Sequence, residues 1–241
     1  MQLAKQFDRA AGRYDLLTRL NPGYHRALRR AAADLVARLR PGPSILLDLG
    51  CGSGLSTQAL LAAAPEARIL GLDASDGMLE QARAKDWSPG VTFVRALAQD
   101  LPEVAARELD GPADGVLAAY LMRNVPEEHR DAVVEAIRDQ VIPGGWVALQ
   151  DYHVRGDAVA QVIWTIIVWT VVVPLAAAVR GNPQIYRYLW RSVLDNDGTA
   201  DLQARLERAG LTDITWRRGP GWQRRILHTV LARRPGTEET P

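Results

Sequence analysis

Cysteine is almost missing from this chain. Cys51 is the only one among 241 residues, so no disulfide can form within the chain and a reducing compartment fits. Lysine is nearly missing too, standing only at Lys5 and Lys85 while the other bases are arginine; we read this as compositional bias rather than function. Neither sign of charge dominates. The 29 basic and 28 acidic residues leave a net charge of +1, which gives no electrostatic footprint for a nucleic-acid partner. The first residues lack the charged-then-apolar pattern of a secretory signal, so a cytoplasmic protein is expected. There is no internal repeat or low-complexity tract, and the spacing of the four histidines makes no metal site. What is present is an apolar fraction of 47%, enough for the core of one large domain or of a domain with an insertion.

The most informative stretch is Ile45-Leu46-Leu47-Asp48-Leu49-Gly50-Cys51-Gly52-Ser53-Gly54. An apolar run, an acid, Gly-x-Gly-x-Gly and then an Ala/Leu-rich helical pattern describe a buried parallel strand that ends in a tight turn and feeds a helix. Glycines at alternate positions let the backbone turn sharply and bring a ligand close to bare main chain, and the first helical turn adds unpaired N–H groups. Dinucleotide sites favour G-x-G-x-x-G. Here the third glycine comes one residue sooner, a form that resembles motif I of the class I S-adenosylmethionine (SAM) methyltransferases. Downstream, Arg68-Ile69-Leu70-Gly71-Leu72-Asp73 reads as a second strand ending in an acid. Asp73 lies about 20 residues past the glycines, where a carboxylate can take both ribose hydroxyls; the alternative is a helix N-cap. Cys51, inside the turn, reads as a small packing residue rather than a nucleophile.

Elsewhere strands alternate with helices. Candidate strands are 45–49, 67–72, 91–95, 114–119 and 146–151, and candidate helices 55–64, 76–84, 101–109 and 127–140, with Pro143-Gly144-Gly145 as a turn before the fifth strand. That rhythm implies a parallel sheet with helices on both faces. Residues 1–40 look helical, with a break at Asn21-Pro22-Gly23. At the other end, Thr212–Trp216 and Arg225–Leu231 flank Gly219-Pro220-Gly221 and read as a hairpin closing the sheet edge. The expected fold is α/β: a Rossmann-like class I methyltransferase fold with a mostly parallel seven-stranded sheet, a C-terminal antiparallel hairpin, a helical N-terminal arm and an apolar helical lid. The expected organisation is a single domain over 1–241, with the arm at 1–40, the SAM-binding core at 41–153, the lid insertion at 154–197 and a C-terminal helix and hairpin at 198–241.

The lid is the odd segment. Ala158 to Val179 contains no charged residue, and a run of that length is a transmembrane candidate. Pro174, the many β-branched residues and the need for the chain to return to the sheet argue against a span. A buried helical lid over a greasy pocket is the expectation; a lid that also touches membrane is the next reading.

Three further segments carry a family resemblance. Phe7-Asp8-Arg9-Ala10-Ala11-Gly12-Arg13-Tyr14-Asp15, Leu121-Met122-Arg123-Asn124-Val125 and Tyr186-Arg187-Tyr188-Leu189-Trp190-Arg191-Ser192 resemble the opening, Leu-Arg-Asn-Val and Tyr-x-Tyr-Leu-x-x-Ser signatures of the ubiquinone/menaquinone biosynthesis C-methyltransferases. The likeness spreads over about residues 6–210. It implies a SAM cofactor held by Asp48, Gly50, Cys51, Gly52, Gly54 and Asp73, with Ala74, Met78, Ala98, Gln99 and Tyr120 around it. Tyr14 either closes over that cofactor or packs the arm. There are departures. Leu97-Ala98 stands where the family has Asp-Ala, with Asp100 the nearby acid; Thr18 replaces an asparagine; Asp195-Asn196-Asp197-Gly198 follows Ser192 in place of a run toward Phe-Pro; and the usual Gly-Ile-x-x-x-His-x-Gly ending is gone. The cofactor half is kept better than the acceptor half, which marks a divergent member.

Methyl transfer from a sulfonium needs alignment and exclusion of water rather than a covalent nucleophile. An aromatic carbon attacks well when a neighbouring hydroxyl loses its proton, so a base or an oxyanion stabiliser is wanted. Arg123 and Asn124, just past strand four, are the candidates to stabilise a phenolate and orient a water, or else a structural pair. His153, after strand five, is the candidate base. His129 reads as solvated and His228 as packed. Trp164, Trp169 and Tyr186 are expected to line an apolar acceptor site, which favours a lipophilic, prenylated or quinol-type aromatic acceptor methylated at carbon. Rival readings are C- or O-methylation of a terpenoid, polyketide or carotenoid, or a SAM-binding cyclase or membrane-associated scaffold. Peripheral membrane contact and a homodimer stay open.

Overall fold

The computed structural model describes residues 23–178 and 183–237. Its centre is a seven-stranded sheet in the order β3-β2-β1-β4-β5-β7-β6, built from β1 (Ile45–Leu49), β2 (Arg68–Asp73), β3 (Val91–Arg95), β4 (Ala113–Ala119), β5 (Val141–Tyr152), β6 (Thr212–Arg218) and β7 (Leu227–Arg233). The first five strands run parallel, and β7 alone is reversed, antiparallel to both of its neighbours β5 and β6. Strands buried on both faces read as near-continuous apolar runs, and β1 has Leu46, Leu47 and Leu49 fully buried. β7 lies between β5 and β6, so β6 is the outer edge, and its exposed Asp213 and Arg218 discourage edge-to-edge pairing.

Helices α1 (Tyr24–Val36), α2 (Leu55–Ala63), α3 (Asp76–Arg83), α4 (Leu101–Glu108) and α5 (Glu127–Asp139) cover the sheet. In α1 the buried residues Leu28, Ala31, Ala32 and Leu35 fall on one helical face. Strand order reverses between β1 and β4. Crossovers leave a crevice at the carboxyl ends of such strands, and both the glycine turn and Arg123–Asn124 are there.

Two local expectations need correction. Pro143-Gly144-Gly145 is not a turn before β5 but lies within it. The register with β4 jumps from Ala113↔Val141 to Gly115↔Trp146, Gly144 has φ +83°, and a Cβ on Gly145 would lie 2.7 Å from the Asp114 carbonyl. The extra residues are absorbed as a bulge. Nor does Pro174 interrupt the apolar run. α6 (Ala158–Ile167) passes through a π-helical turn at Val168–Val172 into α7 (Val173–Ala178). A wider turn just before a proline gives its ring and missing N–H room that α-helical hydrogen bonding lacks. α8 (Pro183–Leu194) and α9 (Thr199–Arg208) complete the chain before the hairpin.

The apolar helix is not buried as expected. Only 17% of Ala158–Leu175 is buried, and the helix packs on α8 and the sheet end through one face only, with Ala160, Trp164 and Val168 inward.

Candidate active site

The glycine turn is held by main chain and by one carboxylate. Gly50 and Cys51 N–H both donate to the Leu72 carbonyl, at 2.8 and 3.0 Å. Gly52 N–H donates to Asp73 Oδ2 at 2.9 Å and Ser75 N–H to Oδ1 at 2.8 Å. Asp73 is not the cap of α3. That place belongs to Ser75, whose Oγ accepts from Met78 N–H. Gly50, Gly52 and Gly54 all have positive φ, which excludes other residues at little cost only to glycine. A Cβ on Gly54 would also meet Trp87 at 2.8 Å, and Lys85 Nζ donates to Ser53 O at 2.6 Å. Trp87 and Lys85 thus back the turn, two supports that nothing in the motif announced.

Asp48 lies beneath, fully buried, with Oδ2 accepting from Ser56 and Thr57 hydroxyls at 2.8 and 2.6 Å. Its Oδ1 has no hydrogen-bond partner among the described residues. Burial pushes its pKa up to about 6, against the pull of the two hydroxyls. Cys51 is buried with its thiol raised well above the ordinary value by burial, which suits packing and not nucleophilic attack.

A cavity of about 720 Å³ opens beside this turn. Gly50, Cys51, Gly52, Asp73, Ala74 and Met78 line it from one side, and Ala98, Gln99 and Tyr120 join them. Asp48 and Gly54 support the turn from outside the lining. Tyr120, at the end of β4, takes φ +59° and stacks on Tyr24 with ring centroids 4.9 Å apart. Leu97 lines the cavity where an acid was the family pattern, and Asp100 turns back to accept from Leu97 N–H at 3.1 Å. It does not take the missing carboxylate's place.

The same cavity reaches Arg123, Asn124, Tyr188 and Ser192. Arg123 is nearly buried beside Asp151, Nε to Oδ1 3.4 Å, while its main-chain N–H donates to Asp151 Oδ2 at 3.1 Å. Its Nη1 donates to Ser192 Oγ at 3.2 Å and to Asn124 Oδ1 at 3.3 Å. Asn124 Oδ1 also accepts from the Tyr188 hydroxyl at 3.0 Å, and its Nδ2 donates to Tyr120 O at 3.0 Å. Asn124 is therefore committed to protein partners and aims Tyr188 rather than a water. Burial raises the Tyr188 pKa. His129 also lines the cavity and is exposed.

Other expectations fall elsewhere. His153 is absent from the lining and buried. Its Nδ1 lies 2.9 Å from Asp197 O, its ring meets Trp216 and His228, and burial lowers its pKa. A base must reach its proton, and this ring faces the core. Trp164 packs on Tyr152 and donates from Nε1 to Trp190 O at 3.3 Å, and Trp169 lies exposed against the Trp190 edge; neither lines the cavity. Tyr14 and the Tyr186 side chain lie outside the described residues. The second tyrosine of the Tyr186–Ser192 segment, with Ser192, is what reaches the site. Tyr24 was missed, since only the break before Gly23 hinted at a turn delivering α1; His129 is exposed, as its solvated reading had it, and its place on the cavity wall was not foreseen.

The acidic segment after Ser192 is structural. Asp197, 1% exposed, accepts from Arg130 Nη1 at 2.9 Å and Arg205 Nε at 2.8 Å, tying α8 to α5 and α9.

Comparison with known proteins follows the same division. A methyltransferase-domain family matches residues 46–145. The chain is 33% identical over 219 residues to the ubiquinone/menaquinone biosynthesis C-methyltransferase UbiE of Methylobacterium nodulans, covering 88% of this chain and 83% of that protein. It is 40% identical to the trans-aconitate 2-methyltransferase of the same organism, but over 122 residues only, so the chain spans less than half, 43%, of that relative's length. Among solved structures, the 1,6-didemethyltoxoflavin-N1-methyltransferase of Burkholderia thailandensis superposes with a TM-score of 0.61 at 18% identity, over 97% of this chain and 88% of that one, a likeness of fold.

Proposed function

The chain belongs to the ubiquinone/menaquinone biosynthesis C-methyltransferase family and is a SAM-dependent methyltransferase, and we propose that it methylates a ring carbon of a lipophilic, quinol-type aromatic acceptor. The residues present fit the cofactor. Glycines at positive φ leave bare main chain at the cavity, and the Asp73 carboxylate that holds Gly52 and Ser75 N–H lines the same wall, where a carboxylate can accept from ribose hydroxyls. When bound, SAM supplies an electron-poor methyl group.

The remaining work belongs to the chain's own side chains. Arg123 is fixed by Asp151 and Ser192, so its charge is preorganised toward an acceptor oxygen that loses its proton. Tyr188, positioned by Asn124, offers its oxygen to the same edge. His129 is the cavity-lining histidine, and it takes the acceptor's proton. Leu49, Leu121 and Val125 supply apolar wall, and an apolar ring or tail gains about 25 cal/mol per Å² buried there.

The observation that carries this reading is that the Arg123–Asn124–Tyr188–Ser192 network opens into the same cavity as Asp73 and the glycine turn. Its test is a turnover assay for S-adenosylhomocysteine with a panel of alkyl- and prenyl-substituted hydroquinones, the product assigned by NMR. A new ring-carbon methyl is the expected result. An O-methyl product, or turnover only with polar carboxylates, would overturn it.

A further inference from the structure

The helix expected to cover the acceptor site instead turns its apolar side outward. We infer that α6–α7 is an interfacial docking element that lies in the surface of an anionic phospholipid bilayer. Val159, Val162, Ile166 and Trp169 follow one another at intervals of three, four and three residues, and are 53, 58, 55 and 43% exposed. That spacing is a single helical stripe, and beyond it Val171 and Leu175 are exposed as well. Ala158–Leu175 is 18 residues, about 27 Å of helix at 1.5 Å per residue.

The element cannot be a span. Ala160, Trp164 and Val168 are buried on the opposite face, and crossing a bilayer would pull them from the core. A helix with one face in the fold and the other apolar lies in the plane of the interface.

Three features favour lipid over water. The hydroxyl of Thr170, on the exposed side, donates to Ile166 O at 2.7 Å, and Thr165 Oγ1 accepts from Trp190 Nε1 at 3.1 Å, so both hydroxyls have partners within the protein. At the helix start, Arg225 Nη1 meets Asp157 Oδ2 at 2.6 Å, which sets the turn Gly221–Arg225 there, with its exposed Trp222 and Arg224. Near the other end, α7 packs on α8, whose first turns carry exposed Arg187. Tryptophan and arginine flanking an apolar stripe match the headgroup region of an anionic membrane.

The placement also bears on the acceptor, and here it rests on the reading proposed above. α8 packs against α6 through Trp190 and reaches the cavity through Tyr188 and Ser192. One helix separates the docked face from the acceptor wall, so a lipophilic acceptor dissolved in the bilayer has a short path.

The experiment is co-sedimentation of the full chain with phosphatidylcholine vesicles, with and without phosphatidylglycerol. The wild type partitions onto the anionic vesicles. Val162→Glu/Ile166→Glu, which alters only outward positions, weakens partition roughly tenfold or more with an unchanged melting temperature, and Arg224→Glu reduces the preference for anionic lipid. A wild type that ignores both vesicle types, or a double variant that binds as well, overturns the inference. So does a wild-type dimer in sedimentation equilibrium that the double variant makes monomeric, since a second copy would then cover the face. Turnover of a water-soluble hydroquinone without vesicles is a separate readout: its failure alone removes the acceptor reading, and vesicle indifference alone removes docking.

Discussion

Ile45–Leu49 and Ala158–Leu175 are both strongly apolar, yet they end on opposite sides of the protein–water boundary. β1 is enclosed by β2 and β4 and by helices on each face, so its leucines have nowhere to go but the core. α6–α7 touches the fold along one face and has a second apolar face that stays exposed among the described residues. The two regions are also held differently. Around the glycine turn the ties are main-chain bonds, the Asp48 and Asp73 carboxylates and Lys85, all between β1 and the residues just past α3. Around α8 the ties are buried ion pairs between distant segments, Asp197 with Arg130 and Arg205, and Arg123 with Asp151. The cofactor side is thus a local construction on the sheet, while the acceptor side is an assembly of helices pinned by charges.

That contrast breaks first at Asp197. Replacing it by alanine leaves the buried Arg130 without its carboxylate and takes one from Arg205, which keeps Asp131 at 2.8 Å; removing one partner of a buried pair costs about 3–5 kcal/mol. We expect Asp197→Ala to lower the urea midpoint accordingly, while Asp197→Asn recovers part of it. A loss under about 1 kcal/mol would mean that the helices are held by packing and the ion pairs are incidental.

Asp73→Ala is the counterpart on the cofactor side. It removes two charge-assisted backbone bonds and the carboxylate facing the cavity, each such bond contributing about 1.5–3 kcal/mol. Calorimetry should show SAM affinity falling roughly a hundredfold or more, with stability less affected than in Asp197→Ala. Equal damage to stability would erase the distinction between the halves.

Those halves were unequally legible for physical reasons. β1 to β4 and the helices between them begin and end within a residue or so of their expected bounds, because alternating apolar runs and turn residues leave a buried parallel sheet few options. Gly50, Gly52 and Asp73 announced themselves through backbone demands that other residues cannot meet. Composition could not say which way the apolar helix faces, since tryptophan and valine suit a core and a lipid surface alike. His153 looked available because it follows a strand end, and the burial that removes it comes from Trp216 and His228, more than sixty residues away. Tyr24, Tyr188 and His129 reach the cavity through tertiary contacts that no local spacing encodes.

Tyr188→Phe sharpens the acceptor side alone. It deletes one hydroxyl bonded to Asn124 and leaves the ring. A neutral hydrogen bond of this kind contributes about 0.5–1.5 kcal/mol, so kcat/KM for the acceptor should fall up to roughly tenfold with SAM affinity unchanged. A change in SAM affinity instead would place Tyr188 on the cofactor and not the acceptor.

The smallest net effect is on pH, because the two regions carry opposing shifts. His228, on β7, has its pKa lowered to about 4 by burial and then by His153 and Arg218, and His153 is lowered as well. Between pH 6.5 and 4 the unfolded chain binds more protons at these histidines than the folded one, so stability falls as the pH drops. Asp48 runs the other way. Its folded pKa of about 6 exceeds the unfolded value of 3.8, so the folded chain binds the extra proton between pH 6 and 4 and stability rises as the pH drops. The wild-type melting temperature should therefore change little from pH 6 to 4.5. Asp48→Asn should make it fall clearly over that range, and His228→Gln should make it rise. Parallel melting curves for both variants would show that the shifts belong to neither group, and the opposition between the two halves would lose its electrostatic part.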